Sequence, residues 1–138
     1  MTWLPGSWPK RIALFPLAAF FVFAGVGHFT NEAFFVRIVP PWLPYPLLMV
    51  QISGVAEIAG GVGILIPRLR RLAGWGLIAL LIAVYPANIE MALHPERFPE
   101  MTASALYFRL PLQFVALAWA WWVTKPDAPA RKLAAPAP

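Results

Sequence analysis

Apolar residues run in four long blocks, at residues 12–29, 47–66, 72–93 and 105–123, separated by short stretches rich in charge and proline. Each block approaches the roughly 20 helical residues needed to cross about 30 Å of hydrocarbon at about 1.5 Å rise per residue. A helix bundle in water would repeat polar residues at helical spacing on its outer faces. Residues 58–66 and 72–84 carry no polar side chain at all. The pattern predicts an all-α protein, an integral membrane bundle of four transmembrane helices. It also predicts a short helix in the first outer loop. Thr30, Asn31 and Glu32 read as a helix start with Thr30 as N-cap. Phe34, Phe35 and Ile38 give that helix an apolar face, and Pro40 with Pro41 ends it. Lying in the membrane interface, it would serve either as an apolar loop packed on the bundle or as a lid over what lies beneath.

Composition narrows the classes. The 138 residues are 60% apolar and 12% charged, against about 45–50% and about 25% in soluble domains. A disordered chain, a collagen and an ordinary soluble enzyme are excluded together, and the length fits one domain. Without cysteine there is no disulfide framework, thiolate metal site or Cys-x-x-Cys redox pair. A net charge of +5 in so apolar a chain points to the lipid bilayer and its topology rather than to nucleic acid.

The basic residues are unevenly placed. Lys10, Arg11, Arg68, Arg70, Arg71, Lys125, Arg131 and Lys132 lie on one side of the expected spans, and only Arg37, Arg97 and Arg109 on the other. Both termini are therefore expected in the cytoplasm of a multi-pass protein of the bacterial inner membrane. Aromatic belts agree, with Trp8, Trp75, Trp119, Trp121 and Trp122 inside and Trp42, Tyr45 and Tyr107 outside. The expected division is a cytoplasmic N-terminus at 1–11, a transmembrane domain at 12–124 and a disordered, Ala/Pro-rich cytoplasmic tail at 125–138. Lys10 and Arg11 before the first block also fit a signal peptide, but no Ala-x-Ala cleavage site follows.

Polar residues inside the blocks mark candidate chemistry. Glu57 lies near the middle of the second block, where an acidic residue costs about 2.5–3.5 kcal/mol on insertion scales. It must face the bundle or water. Ser53, Ala56, Glu57 and Gly60 share one helical face, and Leu48, Ile52, Val55, Val62 and Ile66 the other. Tyr85 and Asn88 share a face of the third helix around Pro86, which frees a carbonyl one turn back. Arg109 and Gln113 are one turn apart on the fourth, and His28 ends the first. Gln113, Ala116 and Ala120 continue the face of Arg109, so Arg109 is expected to point inward and roof a pocket. Glu57 lies deeper by roughly 9 Å of helix rise.

Glu57 and His28 are the candidates for proton chemistry. Ser53, Glu57, Tyr85, Asn88, Arg109 and Gln113 form the candidate ligand-binding set. Each has a plainer reading: His28 in the headgroups, Asn88 as interhelical glue worth about 0.6–2 kcal/mol, Glu90 snorkelling or competing with Glu57 for Arg109. No metal motif is expected from two distant histidines. Gly60, Gly61 and Gly63 follow no strand, so they read as helix packing rather than a phosphate loop.

The same residues resemble a known family. Gly27–His28–Phe29, then Phe34 and Phe35, then Val39–Pro40–Pro41–Trp42–Leu43–Pro44 is similar to the first half of DoxX-type membrane proteins. Ser53–Gly54–Val55–Ala56–Glu57, Gly60–Gly61 and Leu65–Ile66–Pro67 with Arg68 and Arg71 resemble that family's second helix and cytoplasmic turn. Tyr85–Pro86–Ala87–Asn88–Ile89 resembles its third-helix motif, where Phe is commoner than Tyr at the first position. The likeness spans about residues 12–123. It implies a four-helix membrane bundle of mostly unassigned function, with some relatives serving as small subunits of thiosulfate:quinone oxidoreductases, others tied to thiol and oxidative-stress systems, and related proteins acting as assembly chaperones.

The lack of cysteine argues against dithiol chemistry and leaves quinone contact or scaffolding open. The leading expectation is an accessory, redox-associated membrane subunit with a polar pocket for a small lipophilic ligand such as quinone. No sequence motif fixes an enzymatic activity. The alternatives are a non-enzymatic scaffold or assembly factor working with a membrane or redox protein partner, and a small transporter. The last is weakened by the absence of an internal repeat unless the protein oligomerises. The charge asymmetry generates the first test: reporter fusions after Arg71 and at the C-terminus should read cytoplasmic and one after Glu96 periplasmic, whereas a periplasmic C-terminus would contradict the topology.

Overall fold

The computed structural model describes residues 5–127. Five α-helices follow one another: α1 (Trp8–Thr30), α2 (Glu32–Ile38), α3 (Pro46–Gly63), α4 (Arg70–Leu93) and α5 (Ala103–Thr124), with a 3-10 turn at Pro95–Arg97. There is no strand among the described residues. Prolines in the first turns of α1 and α3 fit positions where a missing N–H costs nothing. Thr102 caps α5, its hydroxyl accepting from the Ala105 amide at 3.2 Å.

Three of these helices, α1, α3 and α4, are long and apolar enough to cross a membrane. The fourth expected span, α5, has 22 residues, but Tyr107, Arg109, Gln113 and three tryptophans dilute its apolar character. The short loop helix also differs from the sequence expectation at its start. Thr30 is the last residue of α1, its hydroxyl 3.3 Å from the Val26 carbonyl, and Asn31 takes the N-cap position of α2. A threonine at a helix end can donate back to the carbonyl one turn earlier, and here that contact replaces forward capping. The expected disordered tail at 125–138 lies outside the described residues beyond Asp127, as does the start of the N-terminal segment before Pro5.

The long helices form a ring: α1 packs on α3, α3 on α4, α4 on α5, and α5, more thinly, back on α1. Glycines bring the backbones of α1 and α3 close together. A Cβ on Gly25 would sit 2.7 Å from the Gly54 carbonyl oxygen, and one on Gly54 would sit 2.8 Å from the His28 Cβ. Only glycine lets the two backbones meet there. At the end of the ring carrying the termini, Leu14, Leu17, Phe21, Ile64, Leu77 and Val123 bury one apolar core. At the other end Ile38, Met91, Phe98 and Leu106 form a second, joined by Phe34 and Phe35 of α2. Along α4, Asn88 lies between Leu81 of the first core and Met91 of the second; along α5, Gln113 lies between Leu106 and Ala120.

The two described ends of the chain are clipped together. Lys10 is only 4% exposed. Its ammonium lies 2.9 Å from Asp127 Oδ1 and donates to the Lys125 carbonyl at 2.8 Å. The other carboxylate oxygen accepts from the Gly6 and Ser7 amides at 2.6 and 3.4 Å, capping the start of α1, where an anion is favoured. The hydrogen bond from Lys10, with those from Gly6 and Ser7, holds the Asp127 carboxyl below its ordinary value. A carboxyl lowered by folding stabilises the fold fully above its unfolded pKa, about 3.9, and loses that stabilisation as pH falls through the lower folded value. Asp127→Asn is therefore expected to lower stability at pH 7 by no more than about 1 kcal/mol, because the carboxylate is solvent-exposed and screened, and to converge with wild type in acid. Thermal unfolding in detergent from pH 7 to pH 3 checks this, and a difference that widens on acidification would contradict it.

Candidate functional site

The contact of Gly25 with Gly54 brings His28, one turn further along α1, against α3. His28 Nδ1 lies 2.9 Å from the Val50 carbonyl oxygen. A carbonyl can only accept, so Nδ1 carries a proton. The other ring nitrogen, Nε2, faces Glu57 Oε2 at 3.4 Å. That distance is within ion-pair range but is not a formed hydrogen bond, and Oε2 is buried without another partner. His28 and Glu57 are 7% and 9% exposed.

These facts constrain the protons. With Nδ1 committed, a deprotonated pair would set a carboxylate against the Nε2 lone pair, and a doubly protonated pair would set N–H against O–H. One proton satisfies both atoms, either on the ring as imidazolium facing carboxylate or on the carboxyl facing neutral imidazole. Both arrangements are electrically neutral overall, which suits a site surrounded by apolar helices. The Phe35 ring of α2 covers the His28 ring at 4.1 Å between centroids. Thus α2 packs on the bundle and, in doing so, covers the pair from one side.

A second polar cluster joins α4 to α5. Arg109 Nε donates to Asn88 Oδ1 at 3.1 Å. Asn88 Nδ2 donates to Gln113 Oε1, and Gln113 Nε2 donates to the Leu81 carbonyl. Pro86 lacks an N–H, so the carbonyl left without a helical donor is that of Ile82; Gln113 bonds its neighbour, the Leu81 carbonyl. Arg109 thus turns into the bundle, and among the described residues it has no carboxylate within ion-pair distance.

The remaining candidates are placed apart from these clusters. The Ser53 hydroxyl donates to the Met49 carbonyl of its own helix at 2.8 Å. The Tyr85 ring packs edge-on against Phe114 at 5.4 Å. Glu90 neither snorkels freely nor partners Arg109: it accepts from Arg97 Nη1 at 2.8 Å and lies 3.6 Å from His94 Nε2. The 3-10 turn at Pro95–Arg97 folds Arg97 back over the end of α4, closer than Arg109 can come. Two participants were not visible in the side-chain pattern. The Val50 and Leu81 carbonyls are backbone groups, which no side-chain pattern signals.

A family model described as a domain of unknown function, DUF8561, matches residues 17–124. No curated protein and no solved structure matches the chain.

The amide chain gives a quantitative test. Asn88→Ala and Gln113→Ala each break the same bond, so a double-mutant cycle read by unfolding in detergent should give a coupling of about 0.6–1.7 kcal/mol. Additive effects within about 0.3 kcal/mol would mean that the two amides do not act together.

Proposed function

The chain belongs to the DUF8561 family, and from its own residues we propose that it handles a proton for a small lipophilic ligand inside the membrane. In this reading it is a multi-pass protein of the bacterial inner membrane with four spanning helices and both termini in the cytoplasm. The DoxX resemblance supplies the ligand class, a quinone, and the role, an accessory subunit to a redox partner. The observation that carries the proposal is the His28–Glu57 contact: the ring Nδ1 bonds the Val50 carbonyl and Nε2 faces a buried carboxyl oxygen at 3.4 Å, a placement in which one proton between them would leave the pair neutral among apolar helices. A quinone gains or loses protons with its electrons. A buried pair able to hold its proton on either atom is chemically suited to exchange one with such a ligand. The outward faces support insertion of all four helices: Phe20 and Phe23 on α1, Ile52 and Val55 on α3, Ile82 on α4, and Phe108, Leu112 and Val115 on α5 are exposed. In water that much apolar surface would be untenable.

A second reading, an assembly or scaffold protein, is favoured by a different observation. The Arg109–Asn88–Gln113–Leu81 chain spends its polar groups on joining α4 to α5, leaving them no obligation to a ligand. Glu57→Gln separates the two readings, since it keeps the shape of the side chain and removes the exchangeable proton. The measurement is titration of a short-tailed quinone, and of the same quinone reduced beforehand by dithionite to its quinol, into the nanodisc-embedded protein in buffers of different ionisation enthalpy, which counts the protons exchanged with each redox form. Wild type should bind with a linked proton. The variant should insert and fold but bind about tenfold more weakly, a loss of about 1.4 kcal/mol, and without the linked proton. Equal binding and equal linkage in both would refute the proton role, and absence of quinone binding with unchanged partner association would favour the scaffold.

A further inference from the structure

The end of the bundle that carries the termini holds a second candidate site, remote in sequence from His28 and Glu57. Two grooves of about 140 and 240 Å³ open there. They share Arg71, Thr124, Lys125 and Pro126 in their walls, so they form one trough between the start of α4 and the end of α5. Its floor is a close helix contact. A Cβ on Gly74 would collide with the Thr124 side chain, and the Thr124 hydroxyl is turned inward to the Ala120 carbonyl at 2.7 Å.

The two arms of the trough differ in character. One arm is walled by Trp75, Ile78 and Trp121. The other reaches Arg70 and Asp127. Asp127 brings no free negative charge, because its carboxylate is taken by Lys10 and the amides that open α1. Arg70 donates to the Ile64 and Leu65 carbonyls, which fixes a cation at the edge of the polar arm. Arg71 and Lys125, where the arms meet, have no carboxylate within ion-pair distance among the described residues. Lys125 instead lies over the Trp121 ring, 4.0 Å from its centroid.

We propose that this trough binds an anionic phospholipid, its phosphate between Arg71 and Lys125 and the start of an acyl chain along Trp75, Ile78 and Trp121. Two cations without a carboxylate partner among the described residues, one of them stacked on Trp121, match a phosphate diester with a charged or hydroxylated headgroup. A free phosphate would offer the same charge to the same cations. The apolar arm is what favours the lipid, because it gains from burying a hydrocarbon chain and nothing from an inorganic ion. Tryptophans beside the cations place the trough at the depth where headgroup and chain meet. The inference rests on membrane insertion but not on the proton role of Glu57.

Delipidated protein in a neutral detergent provides the test, with thermal unfolding followed against added phosphatidylglycerol, phosphatidylcholine or inorganic phosphate. Phosphatidylglycerol should stabilise the wild type, and the other two should not. Arg71→Gln with Lys125→Gln should weaken the apparent affinity for phosphatidylglycerol by about thirtyfold. Trp75→Ala should weaken it with both charges intact. Arg68→Gln, an exposed cation on the same turn outside both grooves, should leave it within about twofold of wild type. The proposal is overturned if the double variant keeps the wild-type response, if Arg68→Gln loses as much as the double variant, or if inorganic phosphate reproduces the stabilisation. Failure of the membrane premise would look different: the protein would then be released from cells without detergent.

Discussion

The hydrogen bond from His28 Nδ1 to the Val50 carbonyl is the constraint on which the functional reading depends. It fixes one proton of the ring and leaves Nε2 to settle the state of Glu57. Glycine makes it geometrically accessible: with side chains at Gly25 and Gly54, α1 and α3 would stand further apart and the imidazole could not reach a carbonyl of the neighbouring helix. A small-residue contact that reads as packing therefore sets the chemistry one turn away. The consequence is that the buried carboxyl of Glu57 faces a ring nitrogen at 3.4 Å rather than apolar side chains alone, which lowers the penalty for placing it there.

A second theme is the treatment of proline. Pro16, Pro86 and Pro111 lie inside long helices, each withdrawing one backbone donor. In two of the three cases a side chain from a neighbouring helix bonds a carbonyl close to the break. Gln113 of α5 reaches Leu81 on α4, and the Trp119 indole of α5 reaches Ala13 on α1 at 3.2 Å. Both donors come from α5, and each lands beside, not on, the carbonyl that the proline leaves without a donor, Ile82 or Ile12. Arg109 extends the first of these cross-helix bonds through Asn88.

The sequence was most legible where periodicity decides. The four long helices fall within a few residues of the apolar blocks, and helical spacing alone puts Ile52 and Val55 on the exposed face of α3 and Glu57 on the buried one, although Ser53, Ala56 and Gly60, expected beside it, are half-buried and Gly54 and Gly61 complete the buried face. Contacts between elements were less legible. That Asn88, Arg109 and Gln113 share one hydrogen-bonded chain required the pairing of α4 with α5. That His28 meets Glu57 required the register of α1 on α3, and the sequence supplied only the small residues that permit it. The misplaced cap at Thr30 and the partner of Glu90 came from local competition: a hydroxyl with a carbonyl one turn back, and an arginine returned by a short turn. The Lys10–Asp127 clip was hidden because its partners stand at opposite ends of the chain, in segments that read as terminal spacers.

The proposal that His28 and Glu57 share one proton can be tested directly. In a His94→Gln background His28 is the remaining histidine of the two, so nitrogen NMR of the labelled protein in nanodiscs reports on a single ring. Nδ1 should be protonated throughout the pH range over which the protein is folded, and the Nε2 resonance should move when Glu57 is replaced by glutamine. An unprotonated Nδ1, or an Nε2 resonance indifferent to Glu57→Gln, would mean that the two residues are neighbours without a shared proton.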